Sequence, residues 1–421
     1  MKAGAGFFIA LRYLLGRARE GGRYLRGAAG GIALSLIPII LTLMVADGMI
    51  QGITDRYLEL GTGHLQVYDF AEPLGIEDAA GEIAGIEGVR GAWLERQGLG
   101  VLVGKNGRTG ATIRATESAF WEEPGSGRFL QTIAGSGKIE SAGDVLIGEG
   151  LARNLGAGVG DTLRIMTLRI SPEGRNIPRL SPFTVRGIVS SGYRELDSLW
   201  CIMDYEAGKK VLTPELSQSY LIVKIDDPYR GAEAMASLLY RTLGPGYGVY
   251  TWKELQRSQY SSYASTRQQL LFIMALVVIV AAVNVSSATS MLVIERRRDI
   301  AVLKAFGASP GAASRVFIWG SFLTGLFGAL AGISLGLLIG RFINPLIHGL
   351  EKVLGFFSGL FNGEAVKILD PGYYLENIPL VIDWTAVLVI GVCTVLSSML
   401  ASWIPARRAG AVSPIELLRK Y

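Results

Sequence analysis

Four stretches of this chain contain no charged residue: Gly27–Ala46, Gln268–Ile294, Val316–Gly340 and Trp384–Ala406. Each is about 20 residues or longer, enough helix to cross a hydrocarbon core of roughly 30 Å. In a soluble protein such helices would have to be buried on every face. Residues 47–267, of mixed polarity, separate the first stretch from the second. The pattern predicts a polytopic α-helical membrane protein with four transmembrane helices in a 1+3 order and a large α+β domain between the first and second. Within that block, alternation and β-forming residues predict strands at His64–Asp69, Gly91–Val103, Thr109–Ala115, Thr162–Thr167, Phe183–Val189 and Tyr220–Ile225. Helices are predicted at Ile76–Ala84, Glu149–Leu155 and Gly231–Leu243, and two subregions are expected. The first membrane helix should continue through Ile50–Leu60 and the second should begin in the polar Trp252–Arg267, as stalks.

Charge supplies the orientation. Lys2, Arg12, Arg17, Arg19, Arg23 and Arg26 precede the first stretch, and Arg296, Arg297, Arg298, Lys304 and Arg315 lie near the second and third. Arg407, Arg408, Arg419 and Lys420 follow the fourth, while the segment Phe342–Asp383 between the third and fourth holds only Lys352 and Lys367. Positive charge stays on the cytoplasmic side. Both termini and the second–third connection should therefore face the cytoplasm, with the large domain outside. Phe7, Phe8, Leu11, Leu14 and Leu15 share a helical face, as in an amphipathic helix on the cytoplasmic surface. The chain has 421 residues, half of them hydrophobic, a net charge of +5, and a mean hydropathy of +0.35. These values fit a membrane protein, and the basic clusters are where topology requires them, so no nucleic-acid partner is expected.

The chemistry of enzymes is missing. There is no nucleotide-binding loop, no H-E-x-x-H, no nucleophile elbow, and no metal-ligand spacing among two cysteines and two histidines. Cys201 reads as a core residue of the external block, and Cys393 lies in the fourth helix. Asn284, Ser286, Ser287 and Ser290 are polar residues of the second helix, suited to bonds between helices. Gly328, Gly332, Gly336 and Gly340 recur every four residues on the third helix and mark a close helix–helix seam, within the subunit or with a partner. Glu295-Arg296-Arg297-Arg298-Asp299-Ile300-Ala301-Val302-Leu303-Lys304-Ala305-Phe306-Gly307-Ala308-Ser309 predicts a short cytoplasmic helix, apolar on one face and capped by Gly307. Such a helix suits a groove on a cytoplasmic partner.

That segment resembles the coupling-helix motif of the MacB/FtsX superfamily of ABC transporter permeases. The tail Pro405-Ala406-Arg407-Arg408-Ala409-Gly410 through Ser413-Pro414-Ile415-Glu416-Leu417-Leu418-Arg419 resembles its C-terminal signature. Phe8-Ile9-Ala10-Leu11-Arg12-Tyr13-Leu14, Asp144-Val145-Leu146-Ile147-Gly148 and Tyr373 to Pro379 followed by Trp384 are similar to the lipoprotein-releasing, LolC/LolE-type branch. The resemblance implies a non-catalytic permease of the bacterial inner membrane with no cofactor of its own, ATP being bound by partner ABC ATPase subunits. It also implies a second permease copy or paralogue, a periplasmic lipoprotein carrier, acylated lipoprotein substrates and membrane lipid as partners. Efflux in the MacB manner, or regulation of a cell-wall hydrolase in the FtsX manner, is the alternative.

On this resemblance Glu295, Arg298, Ile300, Leu303, Lys304, Phe306 and Gly307 form the ATPase-coupling helix. A carrier-docking loop falls at Thr167–Pro182, with Pro172, Gly174, Arg175, Pro178 and Arg179. Leu43, Met44, Ile50, Leu271, Ile273 and Met274 are candidates for lining an acyl-chain cavity. The expected organisation is a cytoplasmic amphipathic segment (1–26), the first membrane helix and stalk (27–60) and a MacB-like periplasmic domain (61–251). A second stalk and helix (252–294), the coupling helix (295–315), the third helix (316–341), a periplasmic loop (342–383), the fourth helix (384–406) and a cytoplasmic tail (407–421) follow.

Overall fold

The first three apolar stretches lie in helices that extend beyond what a bilayer requires. The computed structural model describes residues 7–12, 22–70, 76–171, 173–360 and 379–411, without the side chains of residues 22 and 356–360. A helix α1 covers residues 7–12, and α2 (Gly22–Arg56) runs uninterrupted through the first apolar stretch and past it. The chain forms two compact units: a helical one (Met1–Met49, Tyr263–Ala365, Pro379–Tyr421) and a sheet one (Ile50–Ser262, Val366–Ile378).

In the sheet unit, α2 ends in a π-helical turn, Tyr57–Gly61. Then come β1 (Leu65–Asp69), α3 (Glu77–Ala84), β2 (Val89–Gly104), β3 (Gly107–Thr116), α4 (Ser118–Glu122), α5 (Pro124–Phe129), β4 (Gln131–Gly135) and β5 (Asp144–Gly148). After these the chain forms α6 (Glu149–Leu155), β6 (Thr162–Ile170), β7 (Asn176–Ser190), α7 (Arg194–Asp197), β8 (Trp200–Asp204), α8 (Tyr205–Val211), β9 (Ser217–Ile225), α9 (Ala232–Leu243), β10 (Tyr247–Thr251) and α10 (Trp252–Leu255). The pairing order β10-β1-β9-β2-β3-β8-β5-β7-β4 has one further strand, β6, which bonds to both β2 and β7.

That double pairing closes a ring: β2 to β3, β3 to β8, β8 to β5, β5 to β7, β7 to β6, and β6 back to β2. A closed ring has no exposed edges. Its interior holds Leu102, Ile113, Val145, Ile147, Leu163, Ile165, Val185, Cys201 and Met203. The other region is the antiparallel set β10-β1-β9-β2, whose apolar face is covered by α3 and α9 through Ile83, Leu239 and their neighbours. The two regions share β2. Its first part pairs with β9, from Val89 to Gly98, and its last part with β6, from Val101 to Val103.

Each expected strand is present, with shifted ends. β4, β5, β8 and β10 are additional, and β7 begins at Asn176, well before the expected Phe183.

The helical unit contains most of α11 (Arg257–Glu295), then α12 (Arg297–Ala305), α13 (Pro310–Arg341), α14 (Ile343–Leu360), α15 (Trp384–Ala401) and α16 (Trp403–Ala411). Among the described residues, four helices are long and apolar enough to cross a membrane, one before the sheet and three after it. Two features differ from the sequence expectation. The last apolar stretch breaks at Ser402 into α15 and α16. The segment 342–383, expected as a loop, opens with an 18-residue helix. The hydroxyl network between helices also differs. Thr289 Oγ1 lies 3.0 Å from Ser321 Oγ and 3.3 Å from Ser402 Oγ, while Ser290 Oγ donates back to Ser286 O of its own helix.

Candidate functional site

At the α12 end of the helical unit, Arg296 adopts φ −98° and ψ 16°, interrupting the helix between α11 and α12. Its guanidinium pairs with Asp299 at 3.0 Å. Ile300 and Ala301 are each 2% exposed, and Ile300 anchors α12 in a cluster with Leu292 and Val293 of α11, Ala313 and Phe317 of α13, and Ala406 and Ala409 of α16. Lys304 Nζ donates to Gly410 O at 2.8 Å, tying α12 to α16. Gly307, at φ +87°, turns the chain, and Ser309 caps α13 by accepting from Ala312 N at 3.2 Å. Leu303 and Lys304 are half-buried, while Glu295, Arg298, Phe306 and Gly307 are exposed. Phe306 is 88% exposed beside exposed Val302. The result is a rigidly seated helix with a basic and aromatic outer surface. The contribution of α16 was not anticipated: the sequence placed its first residues in the fourth span, where the break at Ser402 was invisible.

The four glycines of α13 face α2. A Cβ at Gly328 would stand 2.8 Å from Ile32 Cβ, one at Gly332 2.8 Å from Ala33 O and Leu36 Cβ, one at Gly336 2.9 Å from Ile40 Cβ, and one at Gly340 2.8 Å from Met44 Cε. The seam is therefore within the chain, between two of its own helices. The five cavity candidates of the helical unit are only partly brought together. Leu43 and Met274 share one buried cluster and Met44 joins another with Ile40 and Val387, whereas Leu271 and Ile273 point outward. Ile50 belongs to the sheet unit and is half-buried.

The segment Thr167–Pro182 is mostly a β-hairpin. β6 and β7 pair as far as Ile170 with Asn176, and Ser171 N donates to Arg175 O at 2.9 Å across the tip. Gly174 takes φ +77° there; Pro172 lies outside the described residues. The base is fixed by Thr167 Oγ1 donating to Val211 O at 3.0 Å and Thr213 Oγ1 to Leu168 O at 2.7 Å. Arg179 Nη1 donates to Lys210 O at 2.6 Å. Arg175 and Pro178 are exposed, and so are the aliphatic Leu168, Ile177 and Leu180.

A buried ionic cluster at the end of α2 was not anticipated from the sequence. Arg114, 1% exposed, donates to both oxygens of the fully buried Glu95 at 2.7 and 2.6 Å, and to Leu60 O and Gly61 O in the π turn. Its guanidinium lies over Trp200 at 4.6 Å and Trp121 at 5.0 Å. Burial opposes its charge, but the neighbouring Glu95 carboxylate outweighs that and raises its pKa. Lys224, fully buried, contacts Glu59 at 2.9 Å, Glu123 at 2.6 Å and Ser126 Oγ at 2.7 Å. His64 Nδ1 lies 2.9 Å from Ile225 N and 3.0 Å from Ile225 O, and its Nε2 lies 3.3 Å from Glu59 Oε1. Among the described residues, no group of three or more His, Cys, Asp or Glu could hold a metal ion. Cys201 is buried, and burial pushes its thiol up to about 12.

Residues 27–239 match the family described as the MacB-like periplasmic core domain, and residues 271–414 match the FtsX-like permease C-terminal family. The chain is 26% identical to the lipoprotein-releasing system transmembrane protein LolC of Neisseria meningitidis, over 98% of both chains. It is also 26% identical to the lipoprotein-releasing system transmembrane protein LolE of Haemophilus influenzae, over 99% of both. The periplasmic region of MacB from Actinobacillus actinomycetemcomitans aligns over 48% of this chain and 95% of its own, at 16% identity and a TM-score of 0.32. With both halves of the chain matched and near-complete coverage by relatives of two types, the chain is a permease of the MacB/FtsX superfamily, of the LolC/LolE type.

Proposed function

We propose that the chain is the membrane subunit of an ABC complex that draws lipoproteins from the outer leaflet of the inner membrane and passes them to a periplasmic carrier. A separate ATPase supplies the energy. The Neisseria meningitidis and Haemophilus influenzae relatives, matched over 98% and 99% of both chains, carry lipoprotein-releasing names. The observation that carries the reading is Phe306: an 88% exposed aromatic at the C-terminal cap of a helix that Ile300 anchors. An exposed aromatic beside arginines suits a protein groove, and the charge bias of the loops puts α12 in the cytoplasm, where the ATPase is.

The energetic case is simple. Burying acyl chains contributes about 0.8 kcal/mol per methylene, so three chains of roughly 14 methylenes are held by roughly 30 kcal/mol gross. Escape needs a machine that offers an apolar path and then closes it. α12 is packed against α11, α13 and α16, so a push on it is passed to three helices as a rigid-body shift. The exposed tip of the β6–β7 hairpin, with its aliphatic and arginine side chains, is the surface assigned to the carrier. A second permease copy covers Asn284, an exposed amide within the apolar run of α11 that needs a bonding partner in lipid.

The test is to purify the complex gently and compare it with Phe306→Ala. The expected result is copurifying ATPase and acylated protein with the parent, and loss of ATPase association with the variant at unchanged thermal stability. Retained association and release activity in the variant would refute the coupling role. Bound material without acylated protein would refute the cargo.

A further inference from the structure

The helix α14 is amphipathic in an unusual sense. Ile343, Leu346, Ile347, Leu350, Val353 and Leu354 fall on one face at helical spacing, and Asn344, His348, Glu351 and Lys352 on the other. In a solvated helix the polar face would be exposed and the apolar face covered. Here Leu346, Leu350 and Val353 are exposed and Ile343, Ile347 and Leu354 half-buried, while on the polar face His348 and Lys352 are exposed and Asn344 and Glu351 half-buried, so the apolar face is covered no better than the polar one.

Position within the helical unit identifies what covers the apolar face. Only Phe342 separates the end of α13, at Arg341, from the start of α14. The helix therefore begins where a membrane-crossing helix leaves the hydrocarbon. Trp384, 65% exposed, opens α15, and Asp383 caps that helix by accepting from Thr385 N at 3.0 Å and Ala386 N at 3.1 Å. Trp is the residue of membrane–water boundaries. The same Asp383 pairs with Arg267 at 2.6 Å, and Arg267 with Asp47 at 3.0 Å, so α2, α11 and α15 each carry a charged group there. Aromatic and ionic groups thus mark one boundary within this unit.

We propose that α14 is an interfacial helix, lying in the headgroup layer of the leaflet opposite α12 with its apolar face in the acyl boundary. The occupant of that face is the bilayer. Glu351 and Lys352 are the only charged side chains from Ile343 to Leu354 and cancel, so binding is driven by apolar area and not by anionic lipid. With the orientation argued above, this is the leaflet from which the cargo is drawn. The inference itself needs only that α13 spans the membrane.

The test uses the full chain carrying Cys393→Ser, with single cysteines placed at Leu346, Leu350, Val353, His348 and Lys352, and at Ile279 on the exposed face of α11 as a reference. Each is spin-labelled and reconstituted in phosphatidylcholine vesicles with or without phosphatidylglycerol. Collision with oxygen reports lipid, and collision with a nickel chelate reports water. Labels at 346, 350 and 353 are expected to favour oxygen, as at 279, and labels at 348 and 352 to favour nickel. The sign of the log ratio should change around the helix and be the same in both vesicle types. Nickel access at 346, 350 and 353 overturns the proposal. Shielding from both reagents there also overturns it, in favour of a second copy of the chain. Nickel access at 279 would overturn the spanning reading and this one together.

Discussion

The long helix α2 is held in two places by opposite chemistry. Between Ala29 and Met44 it lies against the glycine row of α13, whose nearest neighbours there are aliphatic carbons, Met44 and backbone carbonyls. At its π-helical end, Leu60 O and Gly61 O accept from Arg114, and Glu59 joins Lys224 and His64. The difference follows from the solvent each would otherwise meet. In lipid there is no hydrophobic force between helices, so close backbone approach and dispersion must provide the attraction, and glycine permits that approach. In the sheet unit, burying an ion is costly unless every oxygen and proton is paired. The seam tolerates nothing added, and the cluster tolerates nothing removed.

The largest expected effect comes from breaking the cluster on one side. Glu95→Gln leaves Arg114 buried with half its partner gone and should cost about 3–5 kcal/mol. This is read as a fall in thermal unfolding temperature of the full chain in detergent. Replacing the pair by Glu95→Leu with Arg114→Met should recover much of the loss, although the carbonyls of Leu60 and Gly61 then lose their donor. A single variant as stable as the parent would show that water reaches the site.

The seam should respond to addition in the reverse manner. Gly332→Leu places atoms where Ala33 O and Leu36 Cβ already stand, 2.8 Å from the first carbon added. Overpacking of this kind costs about 1–3 kcal/mol, and Gly332→Ala should cost less. Gly30 on α2 has nothing within 4 Å of an added Cβ. Gly30→Ala should therefore be neutral or stabilising, by up to about 1 kcal/mol of helix propensity. Equal losses at Gly332 and Gly30 would mean that the seam does not form.

Acid separates the two contacts more gently. Burial opposes ionisation of Glu123, but Lys224 and the backbone N–H groups of Ser126 and Gly125 outweigh it and hold its pKa below the ordinary value. A carboxylate depressed on folding stabilises fully above its unfolded pKa, about 4.3, and that contribution is lost as pH falls through the lower folded value. The sheet unit should lose stability below about pH 4, and Glu123→Gln should flatten the dependence. The glycine seam has no group that titrates there, so Gly332→Ala should lower stability equally at every pH.

These contrasts also explain what could be seen in the sequence. The glycine row was legible because period four on an apolar helix is itself a spatial statement, and the four long apolar helices because charge-free runs are long. The strands β5 and β8 were not, since Val145-Leu146-Ile147 and Trp200-Cys201-Ile202-Met203 are apolar on consecutive positions. Both faces are covered: Val145 and Cys201 point into the ring, and Leu146 and Ile202 into the aromatic cluster around Trp200. Two-sided burial erases the alternation by which strands are recognised. The ionic cluster was hidden for a different reason. Glu95, Arg114 and Lys224 read as outward residues of three separate strands, and only the register that sets Glu95 beside Tyr220 and β3 reveals an inward-facing set.

The smallest effect is the most local, and it tests whether the ring of strands is closed. Cys201 lies inside it on β8, with no exposed surface, and its thiol is pushed up to about 12 by burial alone. A thiol that is both unexposed and un-ionised at neutral pH should resist maleimide over hours in the folded chain. Cys393→Ser removes the exposed competitor on α15 without touching the sheet unit. Cys201 should then react only when the ring opens, and its rate should rise in Glu95→Gln in proportion to the lost stability while remaining unchanged in Gly332→Leu. Equal acceleration by both variants would mean that damage at the glycine seam reaches the sheet unit, and the two contacts on α2 would then be one cooperative structure.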